Sequence, residues 1–341
     1  MHVLHRFWIV VFTTLAVWVG GPHAATPAPP TAQTTIDALT RANAAVVGVQ
    51  VTAADGARSA ESLGKHRQGS GVVIGSDGLI LTIGYLLLEA DTIQVTTQDN
   101  RTLPARAVAY DLATGFGLLR PLLPLRGVAP VPLGSQADSA TGEALMVATG
   151  GDDGDVAMTQ LVSKRSFAGY WEYHIESALF TSPPVGNHSG APLFNQRGEL
   201  LGIGSLFVMD AMGGNRRLPG NMFVPVDLLK PILAELQQTG TSKLSRRPWL
   251  GLTSSEQGGR VQVVRVNKDG PAQAAGLQPG DVVLAVDGAR VSTLEAFYKQ
   301  LWQRANPDDE VQLTVLQGAD IKTITLKAVD RMSTMLKPAG I

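Results

Sequence analysis

From Ala45 onward the chain is written in short β-branched and apolar runs separated by tight turns, and this rhythm limits the fold more than any other feature. Val46–Val51, Gly71–Ile74 and Leu79–Thr82 are such runs, the last two joined across Ser76-Asp77-Gly78. An Asp-Gly pair between apolar runs marks a hairpin, because the turn needs positive φ. Ile93–Thr97, Asp99-Asn100 and Leu103–Ala109 repeat the pattern, as do Pro192–Phe194, Arg197-Gly198 and Leu200–Ile203. Many short strands with regular turn signals predict a mainly β domain, a sandwich or a barrel. Short helices are expected at Ile36–Asn43 before the strands and at Val226–Gln238 after them, the second stopped by Gly240.

Thr241–Arg247 is polar and basic and forms a boundary. A second unit opens at Pro248, with strands expected at Val261–Val266, Val282–Val286 and Val311–Leu316. A short helix falls near Ala272 and a longer one at Thr293–Arg304. The 341 residues suffice for two such domains. The net charge of −1 gives no positive field to attract nucleic acid or anionic lipid. With no cysteine, disulfides and thiolate metal sites are excluded. At the N-terminus, Arg6 precedes an apolar run, Phe7–Gly20, followed by small residues at Gly21, Ala24 and Ala25. This reads as a secretory signal over residues 1–25, with an uncleaved anchor as its rival. A Pro/Ala/Thr-rich linker follows over residues 26–35.

The second unit carries Trp249-Leu250-Gly251-Leu252, then Gly270-Pro271-Ala272, Ala274-Ala275-Gly276-Leu277 and Pro279-Gly280-Asp281-Val282-Val283-Leu284. Over residues 248–331 this series resembles the PDZ domain of bacterial HtrA (Deg) proteases. The resemblance implies peptides or protein C-termini as partners. The backbone N–H groups of Leu250, Gly251 and Leu252 would receive a terminal carboxylate. Leu294, Phe297 and Leu301 share one helical face and would wall the side-chain pocket, unless that face is ordinary core.

The first unit, residues 36–240, then resembles the trypsin-like protease domain of the same family, a double β-barrel. Gln68-Gly69-Ser70-Gly71-Val72-Val73-Ile74 and Leu79-Ile80-Leu81-Thr82 look like its first hairpin. The family places its catalytic histidine three residues after that threonine; here the position is Tyr85. Thr114-Gly115-Phe116-Gly117-Leu118-Leu119-Arg120 aligns with the aspartate segment, so Gly115 replaces the aspartate. Asn187-His188-Ser189-Gly190-Ala191-Pro192-Leu193 aligns with the nucleophile motif, so Ser189 is the nucleophile position. Asn187 and Ser189 would supply the oxyanion hole, with asparagine in place of the family's glycine. The resemblance also implies export to the periplasm or cell envelope and assembly as trimers or larger homo-oligomers.

A serine hydroxyl needs a neighbouring base to become a nucleophile. A phenol titrates near 10 and is no base at neutral pH. A glycine can neither orient nor charge-balance a base. The expected function is therefore a catalytically inactive HtrA homologue that binds peptides or unfolded protein. The alternative is an active serine endopeptidase using Ser189 with a non-standard base, for which His66, His174 and His188 are the candidates. Asp152, Asp153 and Asp155 offer oxygen ligands, but their spacing is not that of an EF-hand and a solvated hairpin tip is the expectation. Arg216-Arg217 reads as an exposed pair. Neither a cofactor nor a metal is expected, and residues 332–341 read as a tail.

Overall fold

The computed structural model describes residues 31–337, apart from 215 and 305. The expected signal segment 1–25 lies outside the described residues. The first helix, Ala32–Ala44, opens inside the expected linker because Thr31 caps it, its hydroxyl accepting from the Thr34 amide.

Two six-stranded barrels follow. The first closes in the order Val46–Ala53, His66–Val73, Ile80–Ile83, Phe116–Pro121, Thr102–Tyr110 and Ala90–Thr96. The second closes as Pro192–Phe194, Leu200–Val208, Gly220–Pro225, Tyr173–Ser182, Val156–Gly169 and Ala144–Ala148. The turns at Gly78, Asn100 and Gly198 all take positive φ, as their sequences predict. Inward residues fill the barrels: Val72, Ile80, Leu118 and Phe116 in the first, Leu145, Leu179, Leu193 and Phe223 in the second.

The helix expected at Val226–Gln238 is interrupted. A 3-10 turn at Val226–Leu228 is followed by a separate helix, Leu233–Thr239. Pro231 stands between them and has no N–H with which to continue the ladder.

The C-terminal unit is a six-stranded antiparallel sheet, five strands running in the order Leu252–Gln257, Arg260–Val266, Val282–Val286, Glu310–Gln317 and Asp320–Lys327, with Ala289–Arg290 pairing to Val282–Val286. Its helices span Pro271–Ala274 and Leu294–Leu301. The linker at 241–247 and the described part of the tail, residues 332–337, pack against the domains. Ser242 and Ser245, between the units, are buried. Met332 and Met335 pack on a cluster of Leu88, Tyr110 and Leu112 in the first barrel. Among the described residues no helix is long and apolar enough to cross a membrane.

Candidate active site

Tyr85 sits on the 3-10 turn Gly84–Leu87, where the strand Ile80–Ile83 leaves the first barrel. Buried Arg67 holds this turn from behind, donating to the carbonyls of Tyr85 at 3.1 Å and Leu88 at 2.6 Å. Ser189 arrives from the second barrel on a loop whose Asn187 lies at φ +49°, a left-handed conformation that asparagine tolerates better than most residues. The barrels lock together here: Ser70 N donates to Ser189 O at 2.8 Å. A Cβ at Gly190 would stand 2.1 Å from the Ser70 carbonyl oxygen, so this approach requires glycine.

The outcome is a tyrosine where a base would be needed. The Tyr85 hydroxyl lies 2.7 Å from Ser189 Oγ and 3.1 Å from the Ser205 carbonyl oxygen. A phenol has one proton to give, and the Ser205 carbonyl can only accept. Whichever way the hydroxyls rotate, both groups stay protonated. Burial pushes the phenol further above its ordinary value, more than the hydrogen bond with Ser189 lowers it.

Gly115 is adjacent, its carbonyl accepting from Gly84 N at 2.7 Å. It lies at φ +82°, and an ideal Cβ there would stand 3.0 Å from the Tyr173 hydroxyl. That hydroxyl donates to the Thr114 carbonyl at 2.6 Å. The nearby carboxylate belongs instead to Asp111, fully buried, which accepts from Thr114 N at 2.9 Å and Thr114 Oγ1 at 2.6 Å. Asp111 also accepts from Ser242 and Ser245.

The loop of the C-terminal unit is occupied. Leu250 N donates to Glu172 Oε2 at 3.1 Å, while Gly251 N and Leu252 N donate to Glu172 Oε1 at 2.9 and 2.8 Å. Glu172 belongs to the turn between strands Val156–Gly169 and Tyr173–Ser182. Burial raises its carboxyl to about 7, against the pull of the three N–H groups and of Arg331. Phe297 and Leu301 are fully buried in the same core as Leu250 and Leu252. Both are buried in the core of the unit, the second of the two placements that the helical face left open.

Two domain families match this chain: the trypsin-like peptidase domain over residues 69–203 and the PDZ domain over residues 248–328. A DegP-like periplasmic serine endoprotease of Halomonas elongata is 28% identical over 281 residues, covering 77% of this chain and 56% of its own length. Its counterpart in Pseudomonas putida is 32% identical over 251 residues, covering 69% of this chain and 49% of its own. This chain is a homologue of the HtrA (Deg) serine proteases. It spans roughly half the length of these DegP-like relatives. In fold it resembles the solved HtrA-type protease AlgW with a tripeptide, at TM-score 0.54 and 23% identity over 90% of this chain and 99% of that one. A serine endoprotease from Yersinia pestis gives TM-score 0.54 and 22% identity, over 89% of this chain and 99% of that one.

The remaining candidates fall elsewhere in this HtrA homologue. His66 Nδ1 meets the Thr52 hydroxyl at 3.3 Å on an exposed edge. His188 is bonded to the Val185 backbone, and burial lowers its pKa. His174 joins Glu176 and Glu295 in a cluster whose ligand atoms lie within 4.8 Å, drawn from the protease and PDZ domains. Lys299 already bridges both carboxylates, at 2.7 Å from Glu295 and 3.0 Å from Glu176, and so supplies the positive charge there. Asp152 and Asp153 line a cleft of about 190 Å³ that also borders Asn187 and Ser189. Asp111, Glu172 and Tyr173 escaped sequence reasoning, because nothing in the local text around them announces a partner more than fifty residues away.

Restoring the triad tests this geometry. From sequence alone, Tyr85→His with Gly115→Asp should rebuild a base and its orienting carboxylate. The structure reduces that expectation, since a side chain at φ +82° costs about 1–2 kcal/mol and meets Tyr173. Ser189-dependent acylation by a small active ester should differ by less than about ten-fold between Tyr85→His alone and the double variant. In subtilisin the triad aspartate contributes about 10⁴. A gain of that size would show that the loop relaxes to accept the introduced carboxylate.

Proposed function

We propose that this HtrA homologue is catalytically silent and serves as a binding module for peptide C-termini or unfolded segments in the cell envelope. The observation that carries the reading is the Tyr85 hydroxyl 2.7 Å from Ser189 Oγ, in the place of a base. The folded barrels around that contact are intact, so what is lost is proton transfer rather than the scaffold. The PDZ nest at Leu250–Leu252 supports the binding half, since its three donors already grip a carboxylate. The envelope location and a trimeric or larger assembly follow the family resemblance, and the relatives are named periplasmic.

The test is a pull-down of the mature chain with decapeptides ending in a free valine or leucine, against their amidated twins. The free acid should bind at least ten-fold more tightly, because amidation removes the charge that the N–H groups receive. The bound peptide should be recovered intact. Equal binding of acid and amide would sink the nest as the recognition site. Ser189-dependent cleavage would instead establish the working endopeptidase.

A further inference from the structure

We propose that the hairpin tip Gly169–Glu172 of the protease domain is an internal ligand of the PDZ domain, so that an external peptide binds only by displacing it. The proposal rests on the peptide-binding reading above and adds its regulation.

The tip meets the PDZ domain through two kinds of contact at once. One is the carboxylate, gripped by the three successive N–H groups of Leu250–Leu252 at 2.8–3.1 Å. The other is main chain: Ser254 N donates to the Tyr170 carbonyl at 2.9 Å. Ser254 lies in Leu252–Gln257, the edge strand of the sheet, whose other side pairs with Arg260–Val266. An exposed edge takes an added peptide through such main-chain bonds, with the adjacent N–H nest fixing its end. Tyr170 precedes Glu172 by two residues, so the hairpin delivers a backbone carbonyl to the edge and a carboxylate to the nest, as a peptide terminus would.

A third element also reads the tip. Tyr298, on the helix Leu294–Leu301, donates to the Gly169 carbonyl at 2.7 Å and accepts from Glu172 N at 3.3 Å. Glu172 itself lies at φ +59°, the left-handed region that glycine occupies at less cost. The residue is 6% exposed, and its two carboxylate oxygens take all three nest donors. With every donor engaged, a second carboxylate has no partner in the nest. Binding of tip and peptide is therefore mutually exclusive, and the apparent affinity falls by the fraction of time the nest is open.

The test uses the full mature chain with Glu172→Ala and the isosteric Glu172→Gln, read by two methods. Without peptide, amide hydrogen exchange at Leu250–Leu252 should be at least ten-fold faster in Glu172→Ala than in the parent. The free-acid decapeptides should bind Glu172→Ala at least ten-fold more tightly, with Glu172→Gln between the two. Saturating peptide should speed exchange in residues 169–172 of the parent. Unchanged exchange at the nest in both variants would overturn the internal contact. Equal peptide affinity in parent and variants would overturn the competition. Faster nest exchange in Glu172→Ala with no peptide bound by any form would defeat the peptide reading itself. Gating would fall with it, leaving Glu172 as a fixed clamp between domains.

Discussion

The purified protein is expected to take up a fluorophosphonate probe no faster than its own Ser189→Ala variant. The probe needs a serine oxygen freed of its proton, and the group beside Ser189 Oγ at 2.7 Å is a phenol whose burial moves it further from titrating near neutrality. In subtilisin, loss of the triad histidine alone costs about 10⁶ in turnover, much the same as loss of all three members. A comparable deficit places labelling below detection over hours. The positive control is an HtrA protease with its triad intact, labelled at matched concentration. Labelling that depends on Ser189 and survives Tyr85→Phe would assign the base elsewhere and overturn the silent-site reading. Labelling abolished by Tyr85→Phe would make the phenol itself the proton acceptor.

Asp111→Ala should destabilise the protease domain by about 3 kcal/mol or more, the range for removing one partner of a buried charged network. The carboxylate is fully buried and takes hydrogen bonds from Thr114 N, Thr114 Oγ1, Ser242 and Ser245. Truncation leaves all four donors without that acceptor. It also removes a negative charge from the surroundings of half-buried Arg247, whose pKa desolvation lowers to about 10 against the opposing effect of Asp111. Because Ser242 and Ser245 lie between the domains, the variant should also loosen the PDZ domain. Urea unfolding followed at both domains would check this. A loss under about 1 kcal/mol would show that water or a rearranged Arg247 replaces the carboxylate, contrary to the stated role. Asp111→Asn, which keeps one acceptor oxygen and loses the charge, should fall between.

The barrels and the PDZ sheet were legible in the sequence because their signals are local. The Asp77-Gly78 turn, the alternation through Val46–Val51 and the Gly-Pro and Pro-Gly breaks of the C-terminal unit report backbone conformation within a few residues. Tyr85 and Gly115 were equally open to sequence reasoning as the expected replacements of histidine and aspartate, since both stand in segments that resemble the family's. The interrupted helix at Pro231 was open to sequence reasoning too, as a proline cannot donate to the ladder. Three features depended on tertiary structure. At Gly115 an added Cβ would stand 3.0 Å from the hydroxyl of Tyr173, a neighbour far away in the chain. Asp111 draws its donors from residues more than 130 positions away as well as from Thr114. Glu172 looks like an ordinary turn residue until the fold sets it against a nest about eighty residues downstream. Local text fixes which conformations and protonation chemistries a residue can offer, whereas a carboxylate's partner depends on which distant N–H groups the closed barrels bring within 3 Å of it.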